Sequence, residues 1–510
     1  MRKLIFSLLI ILSLLFMTGC LQTNNPDKKP DEPDTGDKDK TDNPDDGEED
    51  MDKDPVDLTI FTINDFHGVV FEKGDYAGLS KIGNFICNNY DDNVILLSAG
   101  DMFQGSAVSS MTRGRVVVDW MNYLEFDAMT IGNHEFDWSI QEVLKYSDGN
   151  EENGEANFPM LCANCKDKST GKLASWCVPY TTFERMGVKI GVIGVIGQDE
   201  ESDILETYVE MYDFTDEVTA IKKYTKVLRD EEKCDLVIVS AHCDTTYFND
   251  TLASLKGNER IDVIINGHTH QAYYGYVKHA DGTDIPYVQS GCYGTYAGRI
   301  DLTYNFREKK VTKVTVSNLK VLDYVTEGNQ DIDDLMVRYQ DYIDLANSEL
   351  GNSNSYIDRS TMGVWIADNM AKAYNCDIGI INKGGVRSNG FPIYENQMIK
   401  YDNIFQILPF ENTLQIVTVS GSILRDLFNN YSDSLYFSSN VDATSKRVNG
   451  TRIDDAELYT IITVDYLYAK SYYPFQRGYD HVDTGVLVRE LIVDAVKENV
   501  KENGKFDIRK

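Results

Sequence analysis

Positive charge is what this 510-residue chain has least of: 49 Lys and Arg stand against 82 Asp and Glu, a formal net charge of −33. Such a balance leaves no broad basic face, and so excludes nucleic-acid polymers and anionic lipid surfaces as partners gripped by charge. Cysteine is sparse too, with Cys20 followed by eight others at irregular spacings. An even number in an extracytoplasmic chain permits disulfides without showing them, and a chain this long needs none to hold a core. Cys162 and Cys165 form half of a zinc-type pattern, but no second pair stands near them in sequence, so they read as structural. Cys87 and Cys234 fall in apolar-periodic segments and read as core. No internal repeat is present. The apolar run at 4–16 is shorter than the roughly 20 residues that a membrane-spanning helix requires.

That run has the form of a targeting segment. Arg2-Lys3 precede it and Met17-Thr18-Gly19-Cys20 close it, an arrangement that resembles a bacterial lipoprotein signal at 1–20, with Cys20 as the lipidated first residue of the mature chain. Ordinary cleavage without a lipid is the alternative. Residues 21–55 follow with fourteen Asp or Glu, five Lys and five of the eleven prolines. With almost nothing apolar to bury, such a stretch cannot offset the entropy of ordering, and it reads as a self-repelling disordered tether. Signal and tether together imply a secreted protein anchored at the outer face of the cell membrane.

The roughly 455 residues beyond the tether exceed one ordinary domain, and two is the natural expectation. Strand-like and helix-like runs alternate from 58 to about 316, the pattern of an α/β body. At 331–350, Ile332, Leu335, Met336, Tyr339, Ile343 and Leu345 make one apolar face at helical spacing, which predicts a single connecting helix. A second body follows, with helices predicted at 362–374, 422–430 and 486–500 and strands at 378–381, 414–419 and 458–464.

The chain holds seven histidines, and five of them, His67, His134, His242, His268 and His270, stand where short apolar runs end. Runs at 58–63, 94–97, 126–131, 236–239 and 261–265 lead respectively into Asp65 and His67, Asp101, Asn133 and His134, His242, and His268 and His270. In an open sheet such carboxyl ends gather on one edge, where ligands bind. Asp65 and His67 are two apart, so an extended segment would turn both side chains to one side, and His268 and His270 repeat the spacing. With Asp101, Asn133 and His242 they make a set of oxygen and nitrogen ligands larger than one metal ion takes. Two ions about 3.5–4 Å apart would bind a hydroxide and clamp a phosphate oxygen for in-line attack. Caps and turns would account for any one of these residues but not for the set.

The same stretches spell out a family. Asn64-Asp65-Phe66-His67-Gly68, Gly100-Asp101-Met102-Phe103-Gln104-Gly105-Ser106, Gly132-Asn133-His134-Glu135-Phe136-Asp137 and Asn266-Gly267-His268-Thr269-His270-Gln271 resemble, in this order, the motifs of the bacterial and animal 5′-nucleotidases, which belong to the calcineurin-like metallophosphoesterases. The resemblance covers about 56–500. It implies an α/β protein with a four-layer αββα metallophosphoesterase domain at 56–325, a helical linker at 326–352 and a C-terminal α/β substrate-binding domain at 353–510. It implies two divalent ions, of Mn, Zn, Fe or Co, one held by Asp65, His67, Asp101 and His270 and the other by Asp101, Asn133, His242 and His268. It further implies that His134, paired with Asp137, is the catalytic acid or transition-state stabiliser rather than a ligand. In the second body, Asn382-Lys383-Gly384-Gly385-Val386-Arg387 resembles the family's Asn-x-Gly-Gly-x-Arg motif, and Leu408-Pro409-Phe410-Glu411-Asn412 resembles the segment whose phenylalanine stacks on the nucleobase. Asn382, Gly384, Gly385, Arg387 and Phe410 are thereby implied as substrate contacts. Metals on one body and a nucleoside pocket on the other imply a large domain rotation.

The chain departs from the family pattern at three places. Arg359, in Asp358-Arg359-Ser360-Thr361, stands out of register with the family's phosphate-binding arginine while remaining a candidate substrate contact. Tyr466 takes the second stacking position. The Gly-Gly-Asp-Gly expected after it reads Ala469-Lys470-Ser471-Tyr472-Tyr473-Pro474. The resulting expectation is an extracellular dimetal phosphohydrolase acting on nucleotides. A 2′,3′-cyclic nucleotide phosphodiesterase, a UDP-sugar or dinucleotide pyrophosphatase, or a thiosulfohydrolase on this scaffold would share every metal residue and differ in the second domain's pocket. A silent ligand-binding lipoprotein would have no use for both His134 and a full ligand set.

Overall fold

The computed structural model describes residues 53–244 and 247–510. The signal at 1–20, with Cys20, and nearly all of the tether at 21–55 lie outside the described residues. Among the described residues no helix is long and apolar enough to cross a membrane.

Two six-stranded sheets build the first body. In spatial order the first runs Lys310–Lys320, Tyr296–Asn305, Val56–Ile63, Val94–Ser98, Ala128–Thr130 and Met160–Leu161. The second runs Ala272–Lys278, Asp284–Ser290, Val263–Gly267, Leu236–His242, Val188–Ile196 and Tyr180–Arg185. Side-chain alternation along these strands sets the layers. Leu58, Ile60, Ile95 and Leu97 share one core with Val192, Ile238, Val263 and Ile265, between the sheets. Phe61, Ile63 and Leu96 point the other way and pack with Phe85 and Trp120 of the helices Gly78–Cys87 and Arg115–Tyr123. On the far side Val237, Val239 and Ile264 meet Ile221, Tyr224 and Leu228 of the helix Glu217–Asp230. Each such buried aliphatic side chain contributes about 1.5–3 kcal/mol. Both faces of both sheets are therefore covered, giving the expected helix–sheet–sheet–helix order.

The inner strands of each sheet are parallel. Their carboxyl ends consequently emerge along one edge, and the polar residues that follow them meet there.

The second body has a mixed five-stranded sheet in the order Leu435–Phe437, Ile378–Asn382, Leu458–Val464, Thr413–Ser420 and Tyr479–Leu487. Its helix Arg359–Tyr374 starts before the predicted 362 because the Asp358 carboxylate caps it, accepting from the Thr361 N–H at 2.8 Å. The strand Tyr479–Leu487 has no sequence signature, being mostly exposed, and is held by pairing with Thr413–Ser420.

The connecting segment differs from the single helix expected at 331–350. It forms two short helices, Gln330–Met336 and Gln340–Ala346, broken by a tight turn at Val337–Tyr339, and is already strand at Glu349–Asn352. Ile332, Met336 and Tyr339 are buried, but Leu345 is 46% exposed and Ala346 is buried in its place. The Tyr339 hydroxyl donates to Asp119 at 2.6 Å, and this tie to the first body sets a new phase for the second helix that apolar spacing alone did not register.

Cys162 and Cys165 are fully buried, and the Cys177 thiol donates to the Cys165 carbonyl at 3.5 Å. Cys234 is buried, and Cys87 packs against the core.

Candidate active site

The first donor group gathers at the ends of Val56–Ile63 and Val263–Gly267. His67 gives its Nδ1 hydrogen to the Gln104 carbonyl at 2.9 Å, which leaves Nε2 as a bare lone pair 2.9 Å from His270 Nε2. Asp65 Oδ1 lies 3.5 Å from that same His270 nitrogen, and both Asp65 oxygens accept from the His268 backbone N–H. Burial pushes the Asp65 carboxyl up to about 7 and His270 down to about 4, and it lowers His67 and His268 as well. Neutral imidazoles beside an insufficiently compensated carboxylate are the donor states a divalent cation selects.

The second group centres on Asp101. Burial works most strongly against its charge, but His242, His134 and His67 together outweigh it and hold the carboxyl well below the usual range. His242 Nε2 lies 3.1 Å from Asp101 Oδ2 and 3.0 Å from Asn133 Oδ1, while its Nδ1 is satisfied by the Ala99 carbonyl at 2.7 Å. Asn133 Oδ1 also lies 3.2 Å from His268 Nδ1. Asp65, His67 and His270 thus converge as one chelating set, and Asp65, Asp101 and His242 as another. These donors, all oxygen or imidazole nitrogen, fit two divalent cations, and all seven expected ligands are present in one cluster.

The backbone supporting them is not the extended one expected for Asp65 and His67. Both are left-handed, at φ 49° and 50°, as are Asp101 at 54°, His268 at 79° and His270 at 59°. Each such conformation costs a non-glycine residue on the order of 1–3 kcal/mol, so the surrounding strands are holding the ligands in place against local preference.

His134 faces the same cleft without joining either set. Its Nδ1 lies 2.7 Å from Asp137 Oδ2, and its backbone N–H donates to Asp101 Oδ1 at 2.9 Å. Burial weighs against a charged ring, but Asp137 and Asp101 outweigh it and raise His134 to about 9. Neutral pH therefore leaves a proton on this imidazole.

The second body closes over this centre. A cleft of about 450 Å³ is lined by Asp101, Asn133, His134, Asp137, His268 and His270 from the first body and by Asn382, Gly384, Gly385, Arg387, Phe410 and Tyr466 from the second. The Asn382 side-chain oxygen is buried with no hydrogen-bond partner. A Cβ on Gly385 would sit 2.7 Å from that oxygen, so the glycine makes room for Asn382 rather than for ligand alone. Arg359, a candidate substrate contact by sequence, is corrected to a brace. Its Nε donates to the Val386 carbonyl at 2.6 Å and its Nη2 to the Lys383 carbonyl, holding the Asn382–Arg387 loop from outside the cleft.

Two functional carboxylates escaped the sequence reading. Glu135 accepts from the backbone N–H groups of Asp101, Met102 and Gly132 at 2.8–2.9 Å, locking two ligand loops together. Its place beside His134, in the motif that follows the strand Ala128–Thr130, was a usable signal. Glu200 lies 3.0 Å from His268 Nε2, fixing the ring with Nδ1 toward Asn133. It sits in an acidic run that reads as solvated surface, so no local signal marked it.

Comparison with known proteins agrees with this geometry. The calcineurin-like phosphoesterase family model matches residues 58–272, and the 5′-nucleotidase C-terminal domain model matches 341–475. Endonuclease YhcR of Bacillus subtilis is 27% identical over 412 residues, which cover 73% of this chain; the match spans only 33% of that longer protein. A 5′-nucleotidase of Vibrio cholerae is 27% identical over 429 residues, covering 73% of this chain and 75% of the relative. The crystal structure of a 5′-nucleotidase precursor from Thermus thermophilus superposes with a TM-score of 0.70 at 21% identity, over 87% of this chain and 96% of the other.

Proposed function

We propose, for a chain that belongs to the 5′-nucleotidase family of calcineurin-like phosphoesterases, that its substrates are nucleoside 5′-monophosphates and that it cleaves them outside the cytoplasm. The chain is a dimetal phosphohydrolase, and its substrate is a nucleotide or another small phosphate ester. The observation that supports the nucleotide reading is the single cleft in which Phe410, Tyr466, Asn382 and Arg387 stand over the metal-ligand cluster.

Asp65, His67, Asp101, Asn133, His242, His268 and His270 would hold the two ions. When bound, these supply Lewis-acid polarisation of the phosphoryl group and a lowered pKa for water. The rest falls to the chain. The His134 imidazolium, oriented through Nδ1 by Asp137, presents Nε2 to the cleft, where it stabilises negative charge on the transferring group or gives its proton to the leaving oxygen. Arg387 offers a planar donor fork to phosphate oxygens, and Asn382, which lines the cleft, offers its side-chain amide to a sugar hydroxyl. Phe410 and Tyr466 supply aromatic faces for a base.

Initial rates on nucleoside monophosphates, a cyclic diester, a diphosphate-linked sugar, thiosulfate esters and an aryl phosphate, each with Mn, Zn, Fe and Co, test the reading. A monophosphate preference of at least about tenfold in kcat/KM, some 1.4 kcal/mol, is expected; a preference for the sulfur ester, the cyclic diester or the sugar nucleotide would replace it. We propose further that Cys20 carries a lipid anchor, on the strength of the signal-like sequence before it. Cys20→Ser should then move the protein from the membrane fraction to the medium.

A further inference from the structure

We infer that Lys470 is a positioning residue that ties the substrate domain to the acidic segment 198–205 and thereby shapes the nucleoside end of the cleft; the inference rests on the nucleotide reading. Lys470 stands in the stretch where Gly-Gly-Asp-Gly was expected. Its side chain does not reach for solvent. The residue is only 7% exposed, a rare state for lysine unless it is paired. Its ammonium donates to two backbone carbonyls of the other body, Ser202 at 3.0 Å and Ile204 at 3.2 Å. The same ammonium lies 5.2 Å from the centre of the Tyr466 ring, so it packs behind the second cleft aromatic as well.

The segment it grips touches the site at both ends. Glu200, near its start, orients His268, and Asp203 and Leu205, further on, line the cleft. Glu200 and Asp203 belong to the short 3-10 helix Gln198–Asp203, and Leu205 follows it in extended backbone outside any strand. Donor and acceptors lie on different bodies, so the contact exists only when the two are together. Two hydrogen bonds from one buried charge thus stabilise the closed cleft and set where its far wall stands. A phosphate ester without a nucleoside does not extend to that wall, so the effect should depend on the leaving group.

Lys470→Met keeps the unbranched side chain as far as Cε and removes its charge and donors. The KM for a nucleoside monophosphate should rise about tenfold, the loss of a modest charged hydrogen bond, with kcat and metal content nearly unchanged. Aryl phosphate kinetics should not move, and Lys470→Arg should restore most of the loss. Amide hydrogen exchange over 198–208 should be faster in Lys470→Met than in the parent. Unchanged exchange, an equal rise in KM for both substrates, or a loss of bound metal would each overturn the assignment. A parent enzyme that does not prefer nucleotides would defeat the nucleotide reading separately, and the exchange rates would still decide whether Lys470 holds the segment.

Discussion

The ring of Phe410 lies nearly parallel to the imidazole of His134, with planes at 18° and centroids 6.1 Å apart, although the two residues sit on different domains. The Arg387 guanidinium is 5.7 Å from the same ring. The aromatic face, the guanidinium and the imidazole proposed above to serve base, phosphate and proton transfer are therefore neighbours.

Phe410→Ala removes the stacking face and leaves the metal cluster untouched. Stacking is worth about 1–3 kcal/mol per base, so the KM for a nucleoside monophosphate should rise roughly 5- to 150-fold. An aryl phosphate should respond far less. Steady-state kinetics on both substrates check this, and parallel changes would refute a base-stacking role.

Asp101 and His134 should separate by metal content. Asp101→Ala deletes a carboxylate at the centre of the donor cluster, and elemental analysis should show bound metal falling. His134→Ala removes no ligand, so both ions should stay while turnover falls about 10²- to 10⁴-fold, the usual range for acid–base groups. Metal lost from His134→Ala but retained in Asp101→Ala would reverse the assigned roles.

The two glycines of the Asn382–Arg387 loop should behave differently. A Cβ on Gly385 would meet the Asn382 oxygen at 2.7 Å, whereas the nearest atom to a Cβ on Gly384 is 3.5 Å away. Gly385→Ala should weaken nucleotide binding about tenfold, the equivalent of one displaced hydrogen bond. Gly384→Ala should leave KM and thermal stability close to the parent, and equal effects of the two would contradict the packing argument.

Turnover should require the domains to part. Arg113 and Glu411 bridge them at 2.7 Å, a half-buried pair that marks where the bodies meet. Arg113→Cys with Glu411→Cys, joined by a short cleavable crosslinker, should stop multiple turnover and regain it on cleavage, since closure and reopening gate such enzymes. Full activity in the linked protein would show that opening is unnecessary.

Much of this was legible in the chain. Buried strands write themselves as apolar runs, and the residue after each run is placed by sheet direction, so Asp65, His67, Asp101, Asn133, His134, His242, His268 and His270 could be named before any coordinate. The motif around Asn382 and the aromatic at 410 were equally local. What the sequence did not contain was geometry that depends on partners far along the chain. The left-handed backbone at Asp65 and His67 is imposed by neighbouring strands, against the extended form that a spacing of two suggests. Arg359 spends its guanidinium on the carbonyls of Lys383 and Val386, partners 24 and 27 residues further along the chain. Glu200 reaches His268 from 68 residues away, as the pairing distance of 3.0 Å shows only after folding. Residue type and local pattern determined which chemistry was present; only long-range packing, which brings oxygen, nitrogen and charge to within about 3 Å hydrogen-bond distance, decided which groups perform it and which hold them still.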